Sequence, residues 1–294
     1  MWDALIVGAG PAGLTAAIYL GRFHRKTLVI DAGVSRARWI PESHNIPGFC
    51  SGIAGQELLT QMTTQARSYG AQIRRGTVES VTASNGVFRA QVGREVHASP
   101  YLLLASGVED RLPAVGGAEE AILRSRLRVC PICDAFEATG RDIAVIGDGE
   151  HAAREAEFLT TYSDRITLLH VGPERDISAI QHLAQRGIQV IGTSLEAIEL
   201  TDDSWCLRLP DHRVRTFDVC YAALGCTARN ELAVGLGARL DESHSLVVNA
   251  HQETSVSNLY AAGDVVRGLN QVVVAAAEAA IAATDIHNKL RKSR

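Results

Sequence analysis

Short apolar runs that stop at glycine, each followed by a longer stretch of helical period, recur along the chain. Ala4-Leu-Ile-Val7 leads into Gly8-Ala-Gly-Pro-Ala-Gly13, a helical pattern runs from Leu14 to Phe23, and Thr27-Leu-Val-Ile30 closes on Asp31. The order predicts strand, glycine turn, helix and strand within about 30 residues, the context in which G-x-G-x-x-G carries meaning. The pattern is then repeated. Asp142-Ile-Ala-Val-Ile146 enters Gly147-Asp-Gly-Glu-His-Ala152, a helical stretch continues to Tyr162, and Arg165-Ile-Thr-Leu-Leu169 is the next strand.

The stretch after each copy is repeated as well. Val78 to Val81 and Val87 to Val92 flank the turn signal Ser84-Asn-Gly86, and Tyr101-Leu-Leu-Leu-Ala105 ends at Ser106-Gly107. In the second copy, Leu195 to Leu200 and Trp205 to Leu209 flank Asp202-Asp-Ser204, and Val219 to Leu224 ends at Gly225. The pattern predicts an α/β protein with two Rossmann-like dinucleotide-binding domains, each carrying an inserted β-meander. Leu259-Tyr-Ala-Ala-Gly-Asp264 and an Ala-rich helix from Gln271 to Lys289 have no second copy. A chain that begins one domain, inserts another and returns accounts for them. The expected domains are 1–110 with 240–294, and 111–239, with crossings near 108–112 and 236–242.

Composition agrees. At ~150 residues per domain, 294 residues suggest two domains. Apolar residues at 46% and charged residues at 21% exclude a disordered or fibrous chain. Lys and Arg number 29 against 33 Asp and Glu, so 29 − 33 = −4, and no general attraction to nucleic acid or an anionic membrane is expected. The first strand starts almost at Met1 and leaves no room for a signal peptide, which predicts a cytoplasmic protein. The longest apolar stretch, Val272 to Ala283, is broken by Glu278 and falls short of the ~20 residues that span a bilayer. The six cysteines do not read as a disulfide scaffold, and only Cys130 and Cys133 have a mechanistic spacing.

In the first glycine motif, Gly8, Gly10 and Gly13, with Pro11 and Ala12 between them, turn backbone N–H groups and a helix start toward a pyrophosphate. Asp31, 18 residues after Gly13, stands where an acid hydrogen-bonds an adenosine ribose. The second motif supplies Gly147, Gly149 and Ala152. The count of 23 residues from Gly8 to Asp31 leads from Gly147 to His170, so the ribose acid is missing, and Asp148 puts a carboxylate between the glycines. A working second nucleotide site and a retained fold with weak or lost binding both remain open. Cys130-Pro-Ile-Cys133-Asp134 joins two thiols close enough to bridge to an acid able to move protons, the requirement of thiol-disulfide exchange. Two other readings compete. Zinc would need a second ligand pair, which neither Cys220 with Cys226 nor the ten histidines supply, so no metal is expected; an inert buried pair is the other.

These residues resemble the low-molecular-weight thioredoxin reductase family, in order along nearly the whole chain. Gly8, Gly10, Gly13 and Asp31 fit its FAD fingerprint, Asn45-Ile-Pro-Gly48 resembles its Asn-x-Pro-Gly flavin loop, and Ala105-Ser-Gly107 its Ala-Thr-Gly turn. Cys130-Pro-Ile-Cys133-Asp134 matches its Cys-x-x-Cys-Asp redox motif, and Ala261-Ala-Gly-Asp264 with Gln271 resembles its second FAD segment. The resemblance implies a FAD domain built from both ends of the chain, a central NADPH domain and a homodimer. It also implies electron flow from NADPH through FAD to the cysteines and on to a thioredoxin-like protein. It implies further that Ser106, Gly107, Gly263, Asp264, Gln271 and Val272 contribute to the FAD site, with Asp264 on the ribityl chain and Gln271 at the isoalloxazine edge. By the same resemblance Cys133 faces the flavin, Cys130 attacks the partner and Asp134 is the acid.

The chain also departs from the family. Where the family reads the 2′-phosphate of NADPH with His-Arg-Arg-x-x-x-Arg, this sequence has His170, Val171, Gly172 and Asp176, with Arg175 one place early. Loss of these charge-assisted contacts predicts poor use of NADPH. The closing helix, Ala275-Ala-Ala-Glu-Ala-Ala280, lacks the family's glycines. Relatives without the arginines include oxidases of small dithiols, which pass electrons to oxygen, and forms reduced by ferredoxin. The acceptor or donor is therefore a thioredoxin-like protein, a small dithiol or disulfide, or ferredoxin. A flavin redox sensor without turnover is a third reading, from a different class. Among the remaining residues, Arg22, His24, Arg25 and Lys26 read as a solvated corner and His151 as a surface residue. Cys50 reads as a small packed residue, and Cys206, Cys220 and Cys226 as core.

Overall fold

A computed structural model describes residues 1–173, 178–201, 204–209 and 212–292. Two compact units make up the chain: Met1–Arg38, Ile53–Glu109 and Ala228–Arg294 form one, and Trp39–Gly52 with Asp110–Thr227 form the other.

The first unit is built on a parallel sheet in the order Leu259–Ala261, Leu102–Leu104, Ala4–Val7, Thr27–Asp31 and Gln72–Arg75. The strands Ala4–Val7 and Leu102–Leu104 are buried at every position, which is why they read as unbroken apolar runs rather than alternation. Helix Pro11–Arg22 begins three residues before the expected Leu14, because proline suits a first turn where its missing N–H has no partner to lose. It packs against helices Gly55–Ser68 and Val272–Lys292. The meander is Ser80–Ser84, Val87–Val92 and Glu95–Ser99, antiparallel throughout. Asn85 and Gly86, at φ 52° and 74°, make its first turn with both central residues left-handed, the twist that a tight hairpin needs. Phe88, 3% exposed, turns into the core beside Leu5 and Val78, and its burial contributes about 2 kcal/mol.

Arg25 is not part of a solvated corner. It is buried, and its Nε donates to His287 Nδ1 at 3.0 Å, while Phe23 stacks on the His287 ring at 4.3 Å. The helix-to-strand corner is thus tied to the closing helix.

The second unit repeats the parallel layout in the order Gln189–Gly192, Ile166–His170, Ile143–Gly147, Val219–Ala223 and Leu127–Arg128. Helix Gly149–Leu159 comes after the glycine turn, and its buried face is almost all alanine, allowing close approach to the sheet. The meander strands are Ile198–Leu200, Trp205–Arg208 and Val214–Phe217, with Leu195–Ala197 a 3-10 turn leading in. Trp205 is fully buried, and its indole N–H donates to the Arg126 carbonyl at 2.9 Å. Asp202 and Asp203 of the expected turn lie outside the described residues.

The chain crosses between units at Val108–Asp110 and returns at Cys226–Ala228, ahead of the expected 236–242. The reason is packing: Ala233 and Ala238 enter the first unit's core with Leu246 and Leu259. Segment Trp39–Gly52 groups with the second unit, where Trp39 packs on a core that contains Trp205, Phe217 and Leu127. No described helix is long and apolar enough to cross a membrane.

Candidate active site

The first glycine turn leaves the sheet at Gly8, whose φ is 101°. A Cβ there would stand 2.3 Å from the Ala105 carbonyl oxygen, and one on Gly13 would stand 1.9 Å from the Gly8 oxygen. These two contacts set the helix start directly against the strand ends. Gly10 caps the helix without a side chain, leaving its first-turn N–H groups uncovered by any side-chain cap. Asp31 ends the neighbouring strand, accepts the Ala9 N–H at 3.2 Å and lies 3.8 Å from the Arg75 guanidinium.

The second FAD-like segment comes to the same place. Gly263 has φ 81°, and a Cβ on it would lie 3.1 Å from the Ala12 Cβ, so the Gly263-Asp264 turn abuts the helix start. Asp264 pairs with Arg36 at 3.5 Å. Gln271 is buried immediately before Val272, the first residue of the closing helix. Ser106 Oγ donates to the Arg229 carbonyl at 2.6 Å, and Gly107, at φ 69°, has open space where a Cβ would be. The side-chain-free turn, the acid beside it and the converging second segment fit a dinucleotide. Asn45 is exposed in the second unit, where its Nδ2 donates to the Ile132 carbonyl at 3.4 Å and its Oδ1 accepts from Ser43 at 3.0 Å.

The second glycine turn keeps the backbone logic of the first. A Cβ on Gly147 would stand 2.5 Å from the Ala223 oxygen and 2.6 Å from the Ala152 Cβ, so these residues meet as the first turn's do. Asp148 occupies the cap position before helix Gly149–Leu159. His170 is 1% exposed, and among the described residues neither ring nitrogen has a hydrogen-bond partner. Val171 and Gly172 bring no cation; Gly172 lies so close to Asp148 that a Cβ there would be 2.8 Å from the Asp148 Cβ. Arg175 and Asp176 lie outside the described residues.

Cys130 and Cys133 form a disulfide, with Cα atoms 5.3 Å apart. Cys130 caps the turn Pro131–Asp134 and Cys133 lies within it, its N–H donating to the Cys130 carbonyl at 2.9 Å. Asp134 ends the same turn, next to Cys133 in the chain. Tyr221, fully buried on strand Val219–Ala223, donates its hydroxyl to Asp134 Oδ1 at 2.9 Å. Arg128 Nη1 bonds the Asp134 carbonyl, reaches the Tyr221 oxygen at 3.3 Å and lies 3.8 Å from Asp134 Oδ1. Burial pushes the Asp134 carboxyl up to about 6; Arg128 and the Tyr221 hydroxyl pull the other way, and Glu137 adds to the rise. Burial also raises the Tyr221 hydroxyl, keeping it a neutral donor.

The other cysteines stand apart from this chemistry. Cys220 is buried and burial raises its thiol, whereas Cys50 is exposed rather than packed because its segment runs over the surface. His151 is exposed and 3.3 Å from Glu155. Among the described residues, no group of three His, Cys, Asp or Glu side chains could hold a metal.

Three contributors escape a reading of the pattern. Arg128 and Tyr221 frame the acid, and Glu278 accepts the Gly263 N–H at 2.7 Å, its carboxyl raised chiefly by burial. The signal for Glu278 was present, since it is the one charge in an otherwise apolar stretch of twelve, Val272 to Ala283.

Comparison with known proteins agrees with this geometry. The pyridine nucleotide-disulphide oxidoreductase profile matches residues 2–279. Thioredoxin reductase of Mycolicibacterium smegmatis is 34% identical over 294 residues, covering 96% of this chain and 94% of that protein. Thioredoxin reductase of Aquifex aeolicus is 32% identical over 297 residues, covering 94% and 90%. Among solved structures, thioredoxin reductase from Streptococcus pyogenes superposes with a TM-score of 0.89 at 23% identity over 99% of both chains, a likeness of fold. The chain therefore belongs to the pyridine nucleotide-disulphide oxidoreductase family and is a flavin-dependent disulfide oxidoreductase of thioredoxin reductase type.

Proposed function

We propose that this chain passes electrons between FAD in the first unit and the Cys130–Cys133 pair of the second, and from the pair to or from an external disulfide or dithiol, with NADPH a poor donor. The observation that carries the reading is the Cys130–Cys133 disulfide on the turn that ends at Asp134, an acid held near pKa 6. FAD would be held by Gly8, Gly10, Pro11, Ala12, Gly13 and Asp31, with Asn45, Ser106, Gly107, Gly263, Asp264, Gln271 and Val272 completing the site. When bound, it supplies a two-electron carrier.

With the pair reduced, Asp134 as carboxylate takes the Cys130 thiol proton, and the thiolate attacks one sulfur of the substrate disulfide. The substrate S–S bond breaks, and its leaving sulfur takes the proton from Asp134. Cys133 then attacks the Cys130 sulfur, restoring the protein disulfide and releasing the second substrate thiol, which receives the Cys133 proton by way of Asp134. Two electrons and two protons leave the cysteines and two substrate thiols form. Run backwards, the same steps oxidise a dithiol.

The donor is where the chain parts from its relatives. Val171 and Gly172 offer no guanidinium, and Asp148 lies beside Gly172. Losing two charge-assisted contacts of ~1.5 to 3 kcal/mol each weakens binding by roughly two to four orders of magnitude. The same observation favours a second reading, an oxidase of a small dithiol that hands electrons to oxygen. The reading further takes the protein as a cytoplasmic homodimer that serves a thioredoxin-like protein or a small dithiol or disulfide, with reduced ferredoxin as an alternative donor.

The test is anaerobic reduction of the holoenzyme by NADPH, NADH, reduced ferredoxin and dithiothreitol in parallel, followed at the visible flavin band. Slow bleaching by both pyridine nucleotides with little preference between them, and faster bleaching by ferredoxin or the dithiol, is the expected result. Rapid NADPH reduction with a micromolar constant and strong discrimination against NADH would overturn it. Oxygen consumption with a dithiol separates the oxidase from the reductase.

A further inference from the structure

Asp134 does not stand alone behind the disulfide. Leu127–Arg128 and Val219–Ala223 are neighbouring parallel strands whose register sets Arg128 opposite Tyr221, and the polypeptide runs from Arg128 through Val129 straight into Cys130. The two side chains converge on the acid. A guanidinium only donates, so the Tyr221 oxygen accepts from Arg128 Nη1 at 3.3 Å, and its own proton is committed to Asp134 Oδ1 at 2.9 Å. Arg128 also bonds the Asp134 carbonyl and so fixes the end of the redox turn to the sheet.

We infer that Arg128 and Tyr221 are positioning residues for disulfide exchange: a relay from Arg128 through the Tyr221 hydroxyl orients the Asp134 carboxyl and stabilises its ionised form. The inference rests on the reading of Asp134 as the proton carrier. In that role the acid must accept a proton from Cys130 and give it up again within one exchange. A carboxyl buried without these donors would keep its proton into the neutral range and cease to serve as acceptor. Among the described residues, the charged and titratable groups that act on Asp134 are Arg128 and Tyr221 from the two strands and Glu137 from the next turn of chain. Glu137 opposes ionisation while Arg128 and Tyr221 favour it, so removing either donor moves the carboxyl upward.

The test is the pH dependence of exchange. Holoenzyme reduced with dithiothreitol and freed of excess reagent anaerobically is mixed with 5,5′-dithiobis(2-nitrobenzoate), and the initial release of the coloured thiolate is measured across the acid range. Wild type should lose rate as pH falls through about 6. In Tyr221→Phe and Arg128→Met this limb should move up by about one pH unit, while the rate well above the limb stays within about twofold of wild type. Arg128→Lys, which keeps the charge, should return the limb most of the way. Flavin content and melting temperature check that each variant is folded; Phe keeps the ring volume of Tyr221, and the Lys against Met comparison at 128 reads the same shift should Tyr221→Phe fold poorly. A uniform loss of rate at all pH values, with the limb unmoved, overturns the inference. Asp134→Asn separates the two claims: an acid limb that survives in Asp134→Asn removes the acid itself, whereas a limb lost there but unmoved in Tyr221→Phe and Arg128→Met removes only the relay.

Discussion

Gly8→Ala tests the first unit where it has no slack. The residue sits at φ 101°, outside the range an alanine adopts readily, a strain worth about 1 to 3 kcal/mol. The new methyl would also stand 2.3 Å from the Ala105 carbonyl oxygen, and forcing apart two backbone segments of a packed core costs roughly another 1 to 3 kcal/mol. The sum, about 2 to 6 kcal/mol, is a large part of the ~5 to 15 kcal/mol that holds an ordinary domain together. At roughly 2 to 4 °C per kcal/mol for a unit of this size, the melting temperature should fall by about 4 to 24 °C. Relief of the overlap has to move either the glycine turn or the Ala105-Ser106 segment, and both line the proposed FAD site, so flavin retention should fail together with stability. The assay is the ratio of visible flavin absorbance to protein, with thermal unfolding followed by circular dichroism. Gly86→Ala is the control, because Gly86 also has a positive φ, 74°, but nothing within 4 Å of its Cβ position. It should lose about 1 kcal/mol and stay yellow. A Gly8→Ala protein that retains stoichiometric flavin and melts with the wild type would refute the argument.

The buried carboxyls give two further expected outcomes. Asp134 titrates near 6 in the folded protein against 3.8 in the unfolded chain, so between these values the folded state holds the extra proton, and its contribution, up to about 3 kcal/mol, is present below pH 4 and lost as pH rises through 6. Urea unfolding at pH 4.5 and pH 7 should show this loss in the wild type and a smaller one in Asp134→Asn; identical slopes would contradict the assignment. Glu278→Ala leaves the Gly263 N–H without its partner at 2.7 Å, which should cost about 1 to 3 kcal/mol in chemical unfolding and weaken flavin retention measured by ultrafiltration. A variant with unchanged stability and flavin content would show that water replaces the carboxylate.

The parts of the protein that were legible in its sequence are those in which local pattern and tertiary role coincide. Ala4–Val7 and Ile143–Gly147 read as strands because parallel strands buried on both faces are apolar throughout, and Gly8, Gly13 and Gly147 read as turns because close backbone approach admits no side chain. The spacing of Cys130 and Cys133 fits the bridge that forms. What stayed hidden depends on contacts between residues far apart in sequence. Arg128 and Tyr221 meet across 93 residues through strand register, which no period of hydrophobicity encodes. Arg25 reads as one of a basic group but finds His287 on the closing helix, and Trp39 takes segment 39–52 into the second unit's core. The return crossing falls early for a similar reason: Ala233 and Ala238 carry too little apolar pattern to announce which core they enter.

The central claim is that the Cys130–Cys133 pair exchanges electrons with the flavin and that the two sulfurs have separate tasks. The most direct measurement is the visible spectrum of Cys130→Ser and Cys133→Ser holoenzymes across the thiol titration range. With Cys133 as the sulfur that addresses the flavin, Cys130→Ser should develop a long-wavelength charge-transfer band as Cys133 ionises, and Cys133→Ser should show none. A band in Cys133→Ser alone would exchange the two roles, and its absence from both variants would contradict exchange between the flavin and this pair.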